Sequence, residues 1–199
     1  MAMKQTRTEI LARNYESIRL HGFQGLRTDQ VLDGLGITKG AFYHHFKDKL
    51  SLGYAIVDEI VSPQYLGIWD QITVGRGNVL DKICHVINLI ASQSNVENIH
   101  LGCALNNLIQ EMCPLDNGFQ ARLGKIIQTQ VDMISLALAQ GIEKNEVLKG
   151  TTPQALANFI IASLEGCYTI GKALNSLDAF NSAINQLKSY LQAFKPTKL

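Results

Sequence analysis

Residues 28–49, TDQVLDGLGITKGAFYHHFKDK, constrain the fold more than any other stretch of the chain. Val31, Leu35, Ile37, Phe42 and Phe46 carry the apolar spacing of two brief helices that close on each other at a steep angle across a tight turn. Gly36 stands where the chain reverses, and glycine accepts the left-handed backbone that such a turn requires. Thr28 and Thr38 stand where the two helices begin, each with a hydroxyl able to cap backbone amides. Phe42 and Phe46 read as core. Lys39, Gly40, Tyr43, His44 and His45 are left on the outward face of the second helix. Small, aromatic and basic side chains together suit a helix that lies in a DNA groove. Either histidine can meet DNA, or one of them can fill the core beneath.

The segment GITKGAFYHHFKDK also resembles the signature of the tetracycline-repressor (TetR/AcrR) family of bacterial transcription regulators. That signature runs as Gly, apolar, Ser/Thr, Lys, Gly, small, apolar, Tyr, His, aromatic, Phe and then Lys. The similarity is dense over the helix-turn-helix and weaker back to Ile10 and onward through the rest of the chain. Leu32 departs from it, because helix-turn-helix proteins usually carry Ala where the two helices nearly touch. Asp29 departs too. Its carboxylate suits the amino end of a helix and is not expected to contact DNA. By the resemblance, Thr28, Lys39, Gly40, Tyr43, His45 and Lys49 match positions that commonly meet DNA. The resemblance further implies a three-helix DNA-binding head, a ligand-binding and dimerising body, and helices 8 and 9 pairing with their copies.

Composition fits this picture. Among 199 residues, 46% are hydrophobic and four are proline, so an ordered globular chain is expected. Helical spacing recurs almost everywhere, and strand-like alternation is scarce. The net charge is +1, which excludes a generic polyanion binder, but its distribution is uneven. Residues 1–50 hold eight Lys/Arg against five Asp/Glu, a balance of +3, and residues 51–199 hold ten against twelve, a balance of −2. A mildly basic head on a mildly acidic body agrees with local contact to nucleic acid. The opening MAMKQTRTEIL lacks the apolar run of a signal peptide, and no apolar stretch approaches a membrane span. Cys84, Cys103, Cys113 and Cys167 show no CxxC pair and no metal-ligand spacing with histidine. A cytoplasmic chain with reduced, mostly structural thiols is expected, with no metal, no cofactor and no membrane partner.

The spacing predicts an all-α fold of about nine helices, divided into a helix-turn-helix domain at 1–47 and a helical ligand-binding and dimerisation domain at 48–199. Helix 1 is expected from about Thr6 to His21, ended by Gly22, with Ile10, Leu11, Tyr15 and Ile18 inward. Asp48 is expected to cap a long helix 4 reaching Trp69, with a kink or a break near Val61–Ser62 caused by Pro63. GRGN at 75–78 reads as a loop. Helix 5 is expected over Val79–Gln93, helix 6 over Leu101–Met112, helix 7 over Asn117–Lys144, helix 8 from Pro153 to about Leu174, and helix 9 from Asp178 or Ala179 to Phe194. KPTKL reads as a frayed tail.

In the body, Asn106 and Asn107 interrupt an apolar helix, and buried amides need partners, so one of them can face a cavity. Cys103 sits at the start of that helix, where the helix dipole tends to lower a thiol pKa. It is the best thiol candidate, against the alternative of an inert packed cysteine. Trp69, His85, Cys103, Asn106, Met112, Phe119 and Tyr168 are candidates to line a small-molecule pocket, which the resemblance implies; each is otherwise plain core. Gly166 and Gly171 leave a shallow face on helix 8 that suits a dimer interface, against simple local flexibility.

The function expected is a homodimeric, ligand-responsive DNA-binding regulator, a repressor that releases a palindromic double-stranded operator when a small molecule or electrophile engages the body. An all-helical enzyme is the alternative. Against it stand the lack of an HExxH motif, a nucleophile elbow, a glycine-rich phosphate loop or paired carboxylates on one helix face, so no catalytic residue is nominated. A non-DNA-binding adaptor on the same scaffold is the third class.

Overall fold

The computed structural model describes residues 2–74 and 77–197, the first four of them by backbone alone. Gly75 and Arg76 of the expected GRGN loop, and Lys198 and Leu199 of the expected tail, lie outside the described residues. The described residues form nine helices and no strand. They are α1 (Ala2–Gly25), α2 (Thr28–Leu35), α3 (Lys39–His45), α4 (Lys49–Ile56, continued by Val57–Val61 and Ser62–Gly67), α5 (Val79–Ser92), α6 (Ala104–Met112), α7 (Asn117–Glu143), α8 (Pro153–Ala173) and α9 (Leu177–Gln192). Short 3-10 turns at Trp69–Ile72 and Ile99–Leu101 join them. No helix among the described residues is long and apolar enough to cross a membrane.

The chain divides into two compact units: Met1–Gln64 with Ala104–Lys125, and Tyr65–Cys103 with Ile126–Leu199. This division by packing differs from the expected functional one at residue 47. The reason lies in α4, α6 and α7, whose apolar residues complete the core beneath the helix-turn-helix. Phe23 meets Phe119 edge-on with ring centroids 4.8 Å apart. Gly53 lets them close: a Cβ there would stand 2.5 Å from the Phe23 ring and 2.6 Å from the Phe119 ring.

Gly22 interrupts α1 with φ 74°, as a helix-stopping glycine should. Beyond it the chain makes a second short turn instead of a loop. The Glu111 carboxylate of α6 caps this turn, accepting the amides of Phe23 at 2.8 Å and Gln24 at 2.7 Å. Asp48 caps α4 as expected, taking the Ser51 amide at 2.7 Å, while the Ser51 hydroxyl accepts the Asp48 amide. Pro63 does not break α4, which stays helical from Lys49 to Gly67. A π turn at Val57–Val61 lies immediately before it. That widening relieves the clash between a proline ring and the carbonyl four residues earlier, and the helix continues.

In the second unit, the core gathers Trp69 from the Trp69–Ile72 turn with Leu80, Ile83, Val86, Ile87, Ile134, Leu138, Ile160, Leu164, Phe180 and Leu187 from α5, α7, α8 and α9. Helix 6 begins three residues later than expected, because Gly102 adopts φ 69° and separates the Ile99–Leu101 turn from Ala104. Helix 1 begins four residues earlier than expected, at Ala2, and runs on past Gly22 to Gly25; the other helix ends agree with expectation to within a residue or two.

Candidate nucleic-acid interface

The turn between α2 and α3 is a glycine-closed helix end. Gly36 has φ 65° and ψ 24°; its amide reaches the Asp33 carbonyl at 3.1 Å, and the Ile37 amide reaches the Leu32 carbonyl at 3.0 Å. Leu32, Phe42 and Phe46 are buried beneath the turn, whereas Val31, Leu35 and Ile37 are half-buried. The larger Leu32 is thus accommodated wholly inside the helix pair. Thr38 caps α3, its hydroxyl accepting the Ala41 amide at 3.2 Å.

This frame fixes which side chains α3 presents. Lys39 and Gly40 open the helix and are exposed, Tyr43 is 63% exposed, and His44 is exposed. His45 is half-buried, its ring 6.3 Å from that of Phe46. A Cβ at Gly40 would approach only the Thr38 hydroxyl, at 3.9 Å, so the helix surface there is smooth and open. A groove of about 580 Å³ runs between the starts of α2, α3 and α4, lined among others by Arg27, Thr28, Asp29, Lys39, Tyr43 and Lys49.

Three side chains in this groove behave differently from expectation. Thr28 does not cap α2. It is the first helical residue, the cap position falls on Arg27 without a side-chain bond, and the Thr28 hydroxyl oxygen is buried with no hydrogen-bond partner. Lys49 is half-buried: its ammonium donates to the Gln24 carbonyl at 3.2 Å and sits 5.0 Å over the Phe23 ring. Burial pushes its pKa down, while Glu111 nearby acts in the opposite sense. Lys39 donates to Asp29 at 3.1 Å, a bond that raises the pKa of the ammonium.

The candidates in the body fall into two groups. Met112 and Phe119 are buried in the first unit, where Phe119 packs between Phe23 and Tyr54, and Asn106 is half-buried there. Trp69, Cys103 and Tyr168 belong to the second unit, with Trp69 and Cys103 buried and Tyr168 half-buried. His85 also lies there, but it is exposed on α5, because the inward stripe of that helix passes through Ile83, Val86 and Ile87 instead.

Cys103 Sγ stands 3.4 Å from Glu165 Oε1 and 3.5 Å from the Tyr65 hydroxyl. Burial pushes the Glu165 carboxyl up to about 7, against a smaller opposing effect of the Cys103 hydrogen bond, and Glu165 Oε2 is buried without a partner. Tyr168 is raised to about 12, again by burial first. Glu165 was not singled out from the sequence, although it carried a signal: it is the one carboxylate in the apolar helix PQALANFIIASLEGCYTIGKA.

The two glycines of α8 also separate. A Cβ at Gly166 would meet open space, whereas at Gly171 it would stand 2.9 Å from Ile99 and from Phe180. Gly171 therefore serves packing inside its own protomer, and the expectation that it faces a second copy is corrected.

Two family models match the chain. One, described as bacterial regulatory proteins of the tetR family, covers residues 10–55, and one described as a tetracyclin repressor-like C-terminal domain covers residues 79–187. The chain is 23% identical over 186 residues to the HTH-type transcriptional repressor NemR of Escherichia coli K12, covering 94% of each. It is 22% identical over 166 residues to the HTH-type transcriptional repressor DhaR of a Mycobacterium species, covering 83% of this chain and 82% of that one. Among solved structures, the reduced form of E. coli NemR superposes with a TM-score of 0.83 at 24% identity, covering 93% of this chain and 96% of that one. A TetR-family regulator from Cytophaga hutchinsonii superposes with a TM-score of 0.84 at 18% identity, covering 100% of this chain and 98% of that one.

Proposed function

This chain belongs to the tetR family of bacterial regulatory proteins, and from that premise we propose that it is a cytoplasmic, homodimeric repressor that α3 docks onto a palindromic operator. The observation that carries the docking mode is the exposed face of Lys39, Gly40 and Tyr43 on a helix anchored from beneath by Phe42 and Phe46. Lys39 reaches a guanine edge or a phosphate, Gly40 lets the backbone approach the groove, and Tyr43 donates its hydroxyl to a phosphate. His44 adds a second donor beside Tyr43, and His45 supports the helix while reaching its edge. Thr28 serves through the amides of the first turn of α2, since its hydroxyl is turned inward. Lys49 serves chiefly to fix the start of α4 against Gln24 and Phe23.

Two-fold pairing through α8 and α9 presents two such heads to the two half-sites. Support for this surface comes from its exposed apolar residues. Phe159 and Tyr190 pack at a tilt with ring centroids 4.9 Å apart while each remains more than two-fifths exposed, and Ile170 near the end of α8 and Leu174 just after it are exposed too. Gly166 lies open on the same helix.

A small molecule or reactive electrophile engages the body and favours a dimer in which the heads no longer match the operator. Such coupling requires an effector that binds the two arrangements with different affinity. Cys103, Glu165 and Tyr168 are the chemically distinctive groups that an effector would meet in the second unit. Selection of bound fragments from random DNA, followed by release with candidate compounds, tests the whole scheme. Enrichment of one palindrome and its release by a compound is the expected result; failure to enrich any sequence contradicts it.

A further inference from the structure

We propose that Asp29 is a specificity-determining residue of the head: it holds the Lys39 ammonium so that contact with phosphates alone is penalised while contact with a base edge is spared. This rests on α3 being the DNA-reading helix. Asp29 lies in the first turn of α2, and Lys39 is the first residue of α3. The tight turn at Gly36 brings Asp29 Oδ2 to 3.1 Å from Lys39 Nζ, and both side chains remain 68% exposed. They line the same groove as Arg27, Tyr43 and Lys47.

Neighbouring carboxylates do not share the role. Asp48 also lines the groove, but its side chain is committed to the Ser51 amide. Asp33 is exposed farther along α2 and acts on Lys39 only through space. Asp29 is therefore the carboxylate that touches the ammonium best placed to enter DNA.

The chemistry of the ammonium turns this contact into a filter. It has three donor hydrogens and no acceptor. If Lys39 moves onto a phosphate, the Asp29 carboxylate is either carried against the polyanion or left unpaired facing it, and both are repulsive. If it reaches a guanine edge, one or two hydrogens go to O6 and N7 while another stays on Asp29. Phosphate contacts carry no sequence information, so Asp29 weakens the mode of binding that does not discriminate. An exposed pair of this kind shifts an equilibrium by no more than about fivefold per head. That is weak enough to open on DNA and large enough to matter across competing sites.

The test titrates wild type, Asp29→Asn, Asp33→Asn, Lys39→Gln and the Asp29→Asn/Lys39→Gln pair against two duplexes over a range of salt. One duplex is the sequence selected from random DNA, and the other is its scrambled counterpart. With Asp29→Asn, binding to the scrambled duplex is expected to tighten by about two- to fivefold per head. Its salt dependence should steepen by about 0.9 per head as Lys39 moves onto a phosphate. Affinity for the selected duplex should change by less than about twofold, and both effects should vanish in the Lys39→Gln background. Equal tightening on both duplexes, the same effect from Asp33→Asn, persistence without Lys39, or no change at all would overturn the proposal. A wild-type chain that binds neither duplex overturns the DNA-binding function itself, which sets that failure apart.

Discussion

Cys103 Sγ lies 3.4 Å from Glu165 Oε1, so a buried thiol and the carboxyl of a half-buried glutamate share one hydrogen bond inside the second unit. The other oxygen of Glu165 has no partner. A carboxylate so placed is poorly compensated, and burial accordingly pushes its pKa up to about 7 from 4.5.

This gives a stability prediction with a definite sign. The folded chain favours protonated Glu165 more than the unfolded chain does. The resulting stabilisation is complete below the ordinary pKa of 4.5 and is lost as pH rises through about 7. Wild type should lose on the order of 3 kcal/mol between about pH 4.5 and pH 8 relative to Glu165→Gln, which has no carboxyl to titrate. Urea unfolding of both chains across that range measures the difference. A constant difference would show that Glu165 is well solvated.

The same pair sets the behaviour of the thiol. Ionised Glu165 can accept the Cys103 proton as sulfur attacks a soft electrophile. Alkylation of Cys103 by iodoacetamide, which forms an S–C bond and releases iodide, should accelerate as pH rises through about 7, and Glu165→Gln should flatten that step. Mass spectrometry of timed samples reads this directly. Modification confined to the half-buried Cys113 would assign Cys103 a packing role only.

Glu111 is the tie that fixes the end of α1, accepting two backbone amides at 2.8 and 2.7 Å. Glu111→Ala leaves both without that partner and should destabilise the first unit by about 1–2 kcal/mol. Glu111→Gln keeps one acceptor and should cost less. Equilibrium denaturation of the two variants checks the order, and equal stability of Glu111→Ala and wild type would contradict it.

Much of the fold was legible in the sequence because local chemistry decided it. Gly36, Thr38 and Asp48 act where they stand, since turns and caps depend on a few neighbouring residues. The apolar stripe of α1 likewise sorted Ile10, Leu11 and Ile18 inward. The features that escaped depended on partners far along the chain. Glu111 reaches Phe23 across 88 residues, and Glu165 reaches Cys103 across 62, distances that no periodicity reveals. Thr28 misled because an N-cap and a first helical residue differ by one position in sequence but by the whole direction of the hydroxyl. Gly171 misled because a small residue leaves the same gap whether a neighbour within the protomer or a second copy fills it.

The central claim is that α3 reads DNA through its exposed face. The most direct measurement is fluorescence anisotropy of a labelled duplex, carrying the selected palindrome, titrated at fixed salt with wild type and Tyr43→Ala. Tight, salt-sensitive binding by wild type is predicted, weakened about tenfold or more by Tyr43→Ala with unchanged helicity in circular dichroism. Equal affinity of the two chains, or equal binding to a scrambled duplex, would contradict the account.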